Sequence, residues 1–577
     1  MTTEPTFLST DVLVIGGGLA GCWAALRAAE HGAKVILADK GYISRAGCSP
    51  MSGGVMTGPT PQDDLDIWAD EFVRSGGYMN NQDWLESFLV DQVERVAELD
   101  RMGPVIVKDE DGSLRRIRSR GMTHVRCLQF NPKNTMALMR EAVESRGCTL
   151  IDRLHVVDLL TDSDGAVVGA AAFGTRSGEF FVIDAKATVI TSGPFNIKGR
   201  NIVDNVGADG HALAYRAGAA LCDMEFAFGG TFSIMQRKYK FPAYNVALGH
   251  GARLVNAAGE RFMERYDPHR LERSELPQVI AAFLNENLSG RGPVYIDLRH
   301  TDENFISDLR AVRGDTWADE LVTGRIRDFR TRPVLIEPQW TVWSHRCGIR
   351  VDLSCATNVP GLFAAGSVVK NEAMGTHASA GSPTAFCGVA GTRAGRAAAL
   401  HARSMKSRND LGARAAPALE RLRKTLACTS GIQPSEAFAE VRRILGTPLD
   451  CMVLSAKRIA DIRAQIADLG ERCRSLVAPD PHELVKAEEA RAFLEAFDLS
   501  MASAAARTES RESFYRTDYP DTDNRNWFCW HLATKDKNGP AFRREPIPLE
   551  RYRRAAPLMP DAMLSPIAGN LQEALGG

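Results

Sequence analysis

The chain has 577 residues, too many for one hydrophobic core, and this length predicts roughly three or four domain-sized units. Its 70 Lys and Arg nearly balance its 71 Asp and Glu, which excludes a global field drawing it to nucleic acid or to an anionic membrane. The start, MTTEPTFLSTDVLVIGGG, lacks a basic n-region and a cleavable apolar stretch, and no run of about eighteen apolar residues follows, so a cytoplasmic location is expected.

Residues 11–40, DVLVIGGGLAGCWAALRAAEHGAKVILADK, read as apolar strand, glycine turn, alanine-rich helix and second apolar strand, a βαβ unit. Gly16, Gly18 and Gly21 fill G-x-G-x-x-G. The first permits the tight turn, the second lets the backbone approach a pyrophosphate, and the third lets helix and strand pack closely. The helix N-terminus would face the phosphates. Asp39, ending the second strand, is placed to accept hydrogen bonds from a ribose diol. Together these features predict a dinucleotide site. No second fingerprint of this kind occurs, so a second dinucleotide has no matching site.

The twelve cysteines form no CxxC pair and no close cluster, which predicts no metal site and no iron–sulfur cradle within the chain. Cys22 and Cys48 are too far apart for a short redox-active disulfide loop. Further on, KATVITSGPF (186–195) and PGLFAAGSV (360–368) read as apolar strands closing on glycine and returning to the first sheet after long insertions. THASAGSPTAF (376–386) then opens a helix, with Ser382 as N-cap and Pro383 in the first turn. Residues 411–506 are rich in Ala, Leu, Arg and Glu at helical spacing and read as packing helices.

The motifs GGGLAG with ADK, GADGHALAYRAGA followed by DMEF (223–226), NAAGERFMERY (256–266), GLFAAG (361–366) and RTESRESFYRTDYPDTDNRNW (507–527) resemble, in this order, the flavoprotein subunits of the succinate dehydrogenase, fumarate reductase, aspartate oxidase and adenylylsulfate reductase superfamily. The resemblance covers nearly the whole chain. It implies an α/β fold: a bipartite Rossmann-like FAD-binding domain at 1–225 and 344–410, an inserted α+β capping domain at 226–343, a helical domain at 411–506 and a C-terminal domain at 507–577. It also implies that Lys40, Gly53, Gly54, Ser192, Gly193, Asp209, Gly366, Ser367, Ser382 and Thr384 join Gly16, Gly18, Gly21 and Asp39 in binding FAD. The helix after GLFAAG would point its N-terminus at the flavin and stabilise negative charge on the reduced ring.

Respiratory members carry a flavin-tethering histidine six residues before a Gly-Gly pair, and counting back from Gly53 gives Gly47, so a noncovalent FAD is expected. Three positions that hold a dicarboxylate in those relatives fall on Gly230, Trp343 and His377, which argues against a fumarate or succinate clamp. Arg273 corresponds to the capping-domain arginine that transfers a proton beside the flavin. The site pattern comes closest to the adenylylsulfate reductase flavoprotein, with THASAGS in place of its histidine and small-residue turn and Asn80 or Asn81 as a candidate amide. His345, His124 and Arg126 are further candidates.

The expected function is an FAD-dependent oxidoreductase whose small substrate lies between flavin and cap, touched by Trp343, His377 and Arg273, with electrons exchanged with a ferredoxin-like iron–sulfur partner. A stand-alone oxidase, desaturase or enoate reductase acting on a small acid or amine is the alternative, and a flavin-bearing protein without turnover of its own is a third reading. An oligomer is left open.

Overall fold

The computed structural model describes residues 4–564 apart from 120, 197, 199–204, 229–232, 237–238, 242–243, 314–327, 338–345, 377–378, 380, 407–409, 447–449, 451–452, 513 and 556–561. Strand β1 (Thr6–Ile15), helix α1 (Leu19–Glu30) and strand β2 (Val35–Asp39) form the βαβ unit, with β1 and β2 parallel from Val12↔Val35 to Ile15↔Ala38. The run Val12–Ile15 is buried throughout, as expected for a central parallel strand covered on both faces.

Both later strands return to this sheet. Phe180–Ile190 pairs parallel with β1, and Leu362–Ala364 pairs parallel with Phe180–Ile190. Thr149–Asp152 flanks β2, and the antiparallel pair Leu154–Thr161 and Val167–Gly174 completes seven strands. After Ile190 the chain leaves the sheet through Thr191–Gly193, and after Ala364 through a turn at Gly366–Val368. The sheet therefore ends in loops at the C-terminal edge of its parallel strands, where α/β sheets bind ligands.

A separate antiparallel sheet of five strands lies between residues 233 and 337, ordered Tyr239–Phe241, Ser233–Gln236, Val334–Glu337, Tyr295–Asp297 and Arg253–Val255. Residues 411–506 supply the helices Leu411–Ala427, Pro434–Leu445, Ala456–Arg472 and Pro481–Ala506. The last of these buries a small-residue face against Asp209–Arg216 and Met224–Ala227. Length predicts several separate cores, but the buried apolar residues form one continuous cluster running from Val12 to Ala533, with a small second cluster around Trp530 and Tyr552. The cores merge because the helical segment, besides packing on itself, lays Leu411–Ala427 on the first sheet and Pro481–Ala506 on Asp209–Arg216. The C-terminal hairpin, Cys529–Asp536 with Gly539–Pro546, also docks inward, pairing Leu221↔Ala533 beside Gly348–Ile349.

Every described cysteine is a free thiol. Among the described residues no helix is long and apolar enough to cross a membrane.

Candidate functional site

A cavity opens where the glycine turn after β1 meets the loops after the neighbouring strands. It is lined by Gly16, Gly18, Asp39, Lys40, Ser192, Gly193, Asp209 and Ser367, contributed by segments far apart in the chain. Gly18 is the N-cap of α1 and has no side chain to close the helix end, so the amide end of α1 faces the cavity. A Cβ on Gly18 would lie 3.1 Å from the Ser49 hydroxyl, which itself accepts the Leu19 N–H at 2.9 Å. This is a cradle shaped for a pyrophosphate, and an elongated dinucleotide such as FAD fits its donors and its length of lining.

Asp39 holds the turn together from the other side. Its carboxylate accepts the Gly17 N–H at 2.7 Å and the Gly41 N–H at 2.6 Å, leaving lone pairs for a ribose hydroxyl. Burial pushes its pKa above the ordinary carboxylate value despite these bonds. Lys40 pairs with Asp209 and, at 2.7 Å, with Glu489 of the helix Pro481–Ala506. Burial disfavours the ammonium, but the two carboxylates outweigh it and hold Lys40 above its ordinary value. Burial raises Asp209, and Lys40 and His155 pull it below its usual range. The nucleoside end of the cavity is thus wired to the helical segment through ion pairs.

Sequence reasoning missed several lining residues. Ala46–Ser49, Leu154–Val156, Asn205, Val206 and Cys387 all reach the cavity. His155 sits in an ordinary-looking strand, LHVVDLL, and no local pattern marks it. Its ring is buried, its Nδ1 has no partner, and its Nε2 stands 3.9 Å from Asp209 Oδ1.

Other expected site residues are not brought to the cavity. Gly21 packs α1 against β1, since a Cβ there would meet the Gly16 carbonyl oxygen at 1.9 Å. Gly366 turns the chain against Ala20, and Gly54 accepts the Phe130 N–H at 2.9 Å through its carbonyl. Gly53 and Thr384 are half-buried beyond the lining. Ser382 is not the N-cap but the first residue of the helix Ser382–Ser404; Gly381 is the cap, at φ 83°. Thr57 approaches so closely that a Cβ at 381 would lie 2.7 Å from its backbone nitrogen, so only glycine fits, and the Ser382 hydroxyl donates instead to the Ser379 carbonyl at 2.8 Å.

Arg273 ends a single 3₁₀ turn, Leu271–Arg273, and its side chain is exposed. The buried positions on either side go to Glu272, which pairs with Arg261, and Ser274, which donates to Asp267 at 2.7 Å. The Arg273 N–H donates to the Arg270 carbonyl at 3.0 Å, and its carbonyl accepts the Gly121 N–H at 2.7 Å. His124 is exposed, and Arg126 donates to the Thr123 and His124 carbonyls, both at 2.8 Å. Asn80 donates to the Phe72 and Ala373 carbonyls, and Asn81 caps the helix Gln82–Met102 while donating to Glu372 at 3.0 Å, so both amides are engaged in the fold. Gly230, Trp343, His345 and His377 lie outside the described residues.

Comparison with known proteins agrees with this arrangement. The FAD binding domain family matches residues 11–384, and the fumarate reductase flavoprotein C-terminal family matches residues 451–560. A fumarate reductase (CoM/CoB) chain from Methanothermobacter marburgensis is 29% identical over 540 residues, covering 90% of this chain and 96% of the relative. L-aspartate oxidase of Streptomyces coelicolor is 27% identical over 552 residues, covering 90% of each. Among solved structures, a chain of E. coli quinol fumarate reductase superposes with a TM-score of 0.84 at 22% identity, covering 97% of this chain and 99% of that one. Adenylylsulfate reductase from Archaeoglobus fulgidus superposes at 0.77 with 20% identity, covering 94% and 97%. With the glycine cradle, the bipartite sheet and the C-terminal segment all accounted for, the chain belongs to the fumarate reductase and succinate dehydrogenase flavoprotein family and is an FAD-dependent oxidoreductase.

Proposed function

We propose that the cavity at the glycine turn holds FAD noncovalently, that a small substrate other than fumarate or succinate binds where the segment after Ser367 meets the capping sheet, and that electrons pass to or from a separate iron–sulfur protein. The cradle carries this reading: Gly18 leaves the end of α1 open, and Asp39, Lys40 and Asp209 stand at the nucleoside end. Bound there, FAD supplies the two-electron chemistry. The chain's residues orient it, with the α1 amides toward the phosphates and the Asp39 carboxylate toward a ribose hydroxyl. Gly47 lines the cavity at φ 84°, and glycine offers no side-chain atom for a covalent bond to the cofactor. Several fumarate reductase relatives are named as single subunits of their enzymes, which favours an electron-transfer partner here.

Acid precipitation of the purified protein should release FAD into the supernatant. Flavin fluorescence that travels with the denatured polypeptide on a gel would contradict the noncovalent assignment. Fumarate added to the dithionite-reduced enzyme should not reoxidise it above the buffer rate, because Gly230, Trp343 and His377 replace the dicarboxylate clamp. Rapid, fumarate-dependent return of the oxidised flavin spectrum would overturn the substrate assignment.

A further inference from the structure

The chain approaches the helix Ser382–Ser404 through a turn at Glu372–Thr376, which lies in sequence between the cavity-lining Ser367 and Cys387 and ends one residue before His377. The connection Gly76–Asn81, between the helices Leu65–Ser75 and Gln82–Met102, holds this turn. The Gly76 carbonyl accepts both the N–H and the hydroxyl of Thr376 at 3.2 Å, the Asn80 amide donates to the Ala373 carbonyl at 2.7 Å, and the Asn81 N–H donates to the Glu372 carbonyl at 2.9 Å. Contact is close as well: Gly375 has φ 61°, and a Cβ there would lie 2.3 Å from the Gly76 oxygen. A shift of Gly76–Asn81 therefore shifts the turn.

The end of the chain grips the other side of the same connection. Gln82, 2% exposed, donates its amide to the Arg554 carbonyl at 2.7 Å and accepts the Arg554 N–H at 3.1 Å, so one side chain pairs with the backbone as a neighbouring strand would. The Arg554 guanidinium reaches three carboxylates, Asp66 at 2.8 Å, Asp70 at 2.5 Å and Glu86, and its side chain is only 8% exposed. Trp530 donates to the Met79 carbonyl at 3.1 Å, and Met79 packs with Trp530, Ile547 and Tyr552 in the small core that stands apart from the main one. A lone surface ion pair contributes little. An arginine shared by three carboxylates, shielded from water and bonded through its backbone to a buried amide, fixes position.

We propose that Gln82 and Arg554 are positioning residues for the site, acting through Gly76–Asn81 on the turn Glu372–Thr376, so that the C-terminal strap sets the geometry of the chain entering the helix Ser382–Ser404. The inference rests on the substrate location proposed above. Neither residue lines the cavity. Loss of the strap loosens the turn and spares the glycine cradle, whose Gly17–Asp39 and Leu19–Ser49 bonds are made within residues 17–49.

Hydrogen–deuterium exchange of the FAD-loaded protein, read by mass spectrometry on peptides covering 370–376 and 12–21, tests this together with the visible circular dichroism of the bound flavin. Gln82→Met removes both bonds to Arg554 and keeps the length of the side chain, and Arg554→Gln removes the guanidinium. Each should raise exchange at 370–376 at least about fivefold, leave 12–21 as in the wild type and alter the flavin dichroism. Arg554→Lys should recover part of the change, because an ammonium keeps the charge without the planar fork. Wild-type exchange at 370–376 in either Gln82→Met or Arg554→Gln overturns the proposal. Raised exchange confined to 547–555, with a lower melting temperature, is what a merely structural anchor gives and overturns it equally. Raised exchange at 370–376 with unchanged flavin dichroism shows that the strap holds the turn but that the site lies elsewhere, which defeats the substrate location and the positioning role with it. A protein that takes up no FAD defeats the cofactor reading beneath both, while its exchange at 370–376 still decides whether the strap holds the turn.

Discussion

Gly18→Val should give a folded protein that carries no FAD. The Gly18 backbone lies in the extended region, at φ −78° and ψ −171°, which valine adopts readily, so the turn itself is not strained by the change. The added Cβ would stand 3.1 Å from the Ser49 hydroxyl, a gap the neighbour opens by a small shift, but the two methyl groups then enter the space before the α1 amides. Flavin extracted per polypeptide should fall to below about a tenth of the wild-type value, with the far-ultraviolet circular dichroism retained. Gly21→Val is the contrasting case. Its Cβ would overlap the Gly16 carbonyl oxygen at 1.9 Å, and backbone cannot move aside as a hydroxyl can, so this variant should fail to accumulate as folded protein. A Gly18→Val protein with full flavin content would show that the phosphates lie elsewhere.

Arg507→Met should be strongly destabilising while it leaves every cavity residue untouched. Arg507 is fully buried, donates to Glu225 at 2.5 Å and to Glu509, and lies 4.9 Å from the ring centres of both Phe226 and Trp527. Glu509 keeps Arg511 at 2.8 and 2.9 Å, and Glu225 keeps His531 at 3.2 Å. Removing one partner from such a cluster leaves an uncompensated buried carboxylate, and the expected loss is about 3–5 kcal/mol. Burial opposes charge on Glu225, but His531 and Arg507 outweigh it and hold its pKa at about 2. That is below the unfolded value of about 4.3, so the stabilisation is complete above that pH and is lost as pH falls toward 2. Denaturant midpoints measured against pH should therefore show the widest gap between wild type and variant near neutrality, closing through that acid window. A variant as stable as wild type at pH 7 would mean that the cluster is not a source of stability, and Glu225→Gln added to Arg507→Met should recover part of the loss if it is.

How much of this molecule could be read in advance depended on the range of the interaction involved. The βαβ unit was legible because it is built from neighbours: an apolar run, a glycine spacing with one steric meaning, and an acidic residue at the end of the next strand. The returning strands and the helices of residues 411–506 were legible for the same reason, since periodicity is a local property. The glycine at the start of the helix Ser382–Ser404 was not. Its cap is chosen by the approach of Thr57, a distant strand residue that leaves no room for a Cβ, and Ser-Pro read alone misplaces the boundary by one residue. The outward direction of Arg273 was not legible either, because a short turn sends one side chain outward and only the packing of Glu272 and Ser274 decides which. His155 reached the cavity and came within 3.9 Å of Asp209 without any local mark, since burial and charge pairing arise from segments that meet only when the chain is folded. Local sequence carries dihedral preference and amphipathic period; the placement of charges in a low-dielectric interior is set by packing across the whole chain.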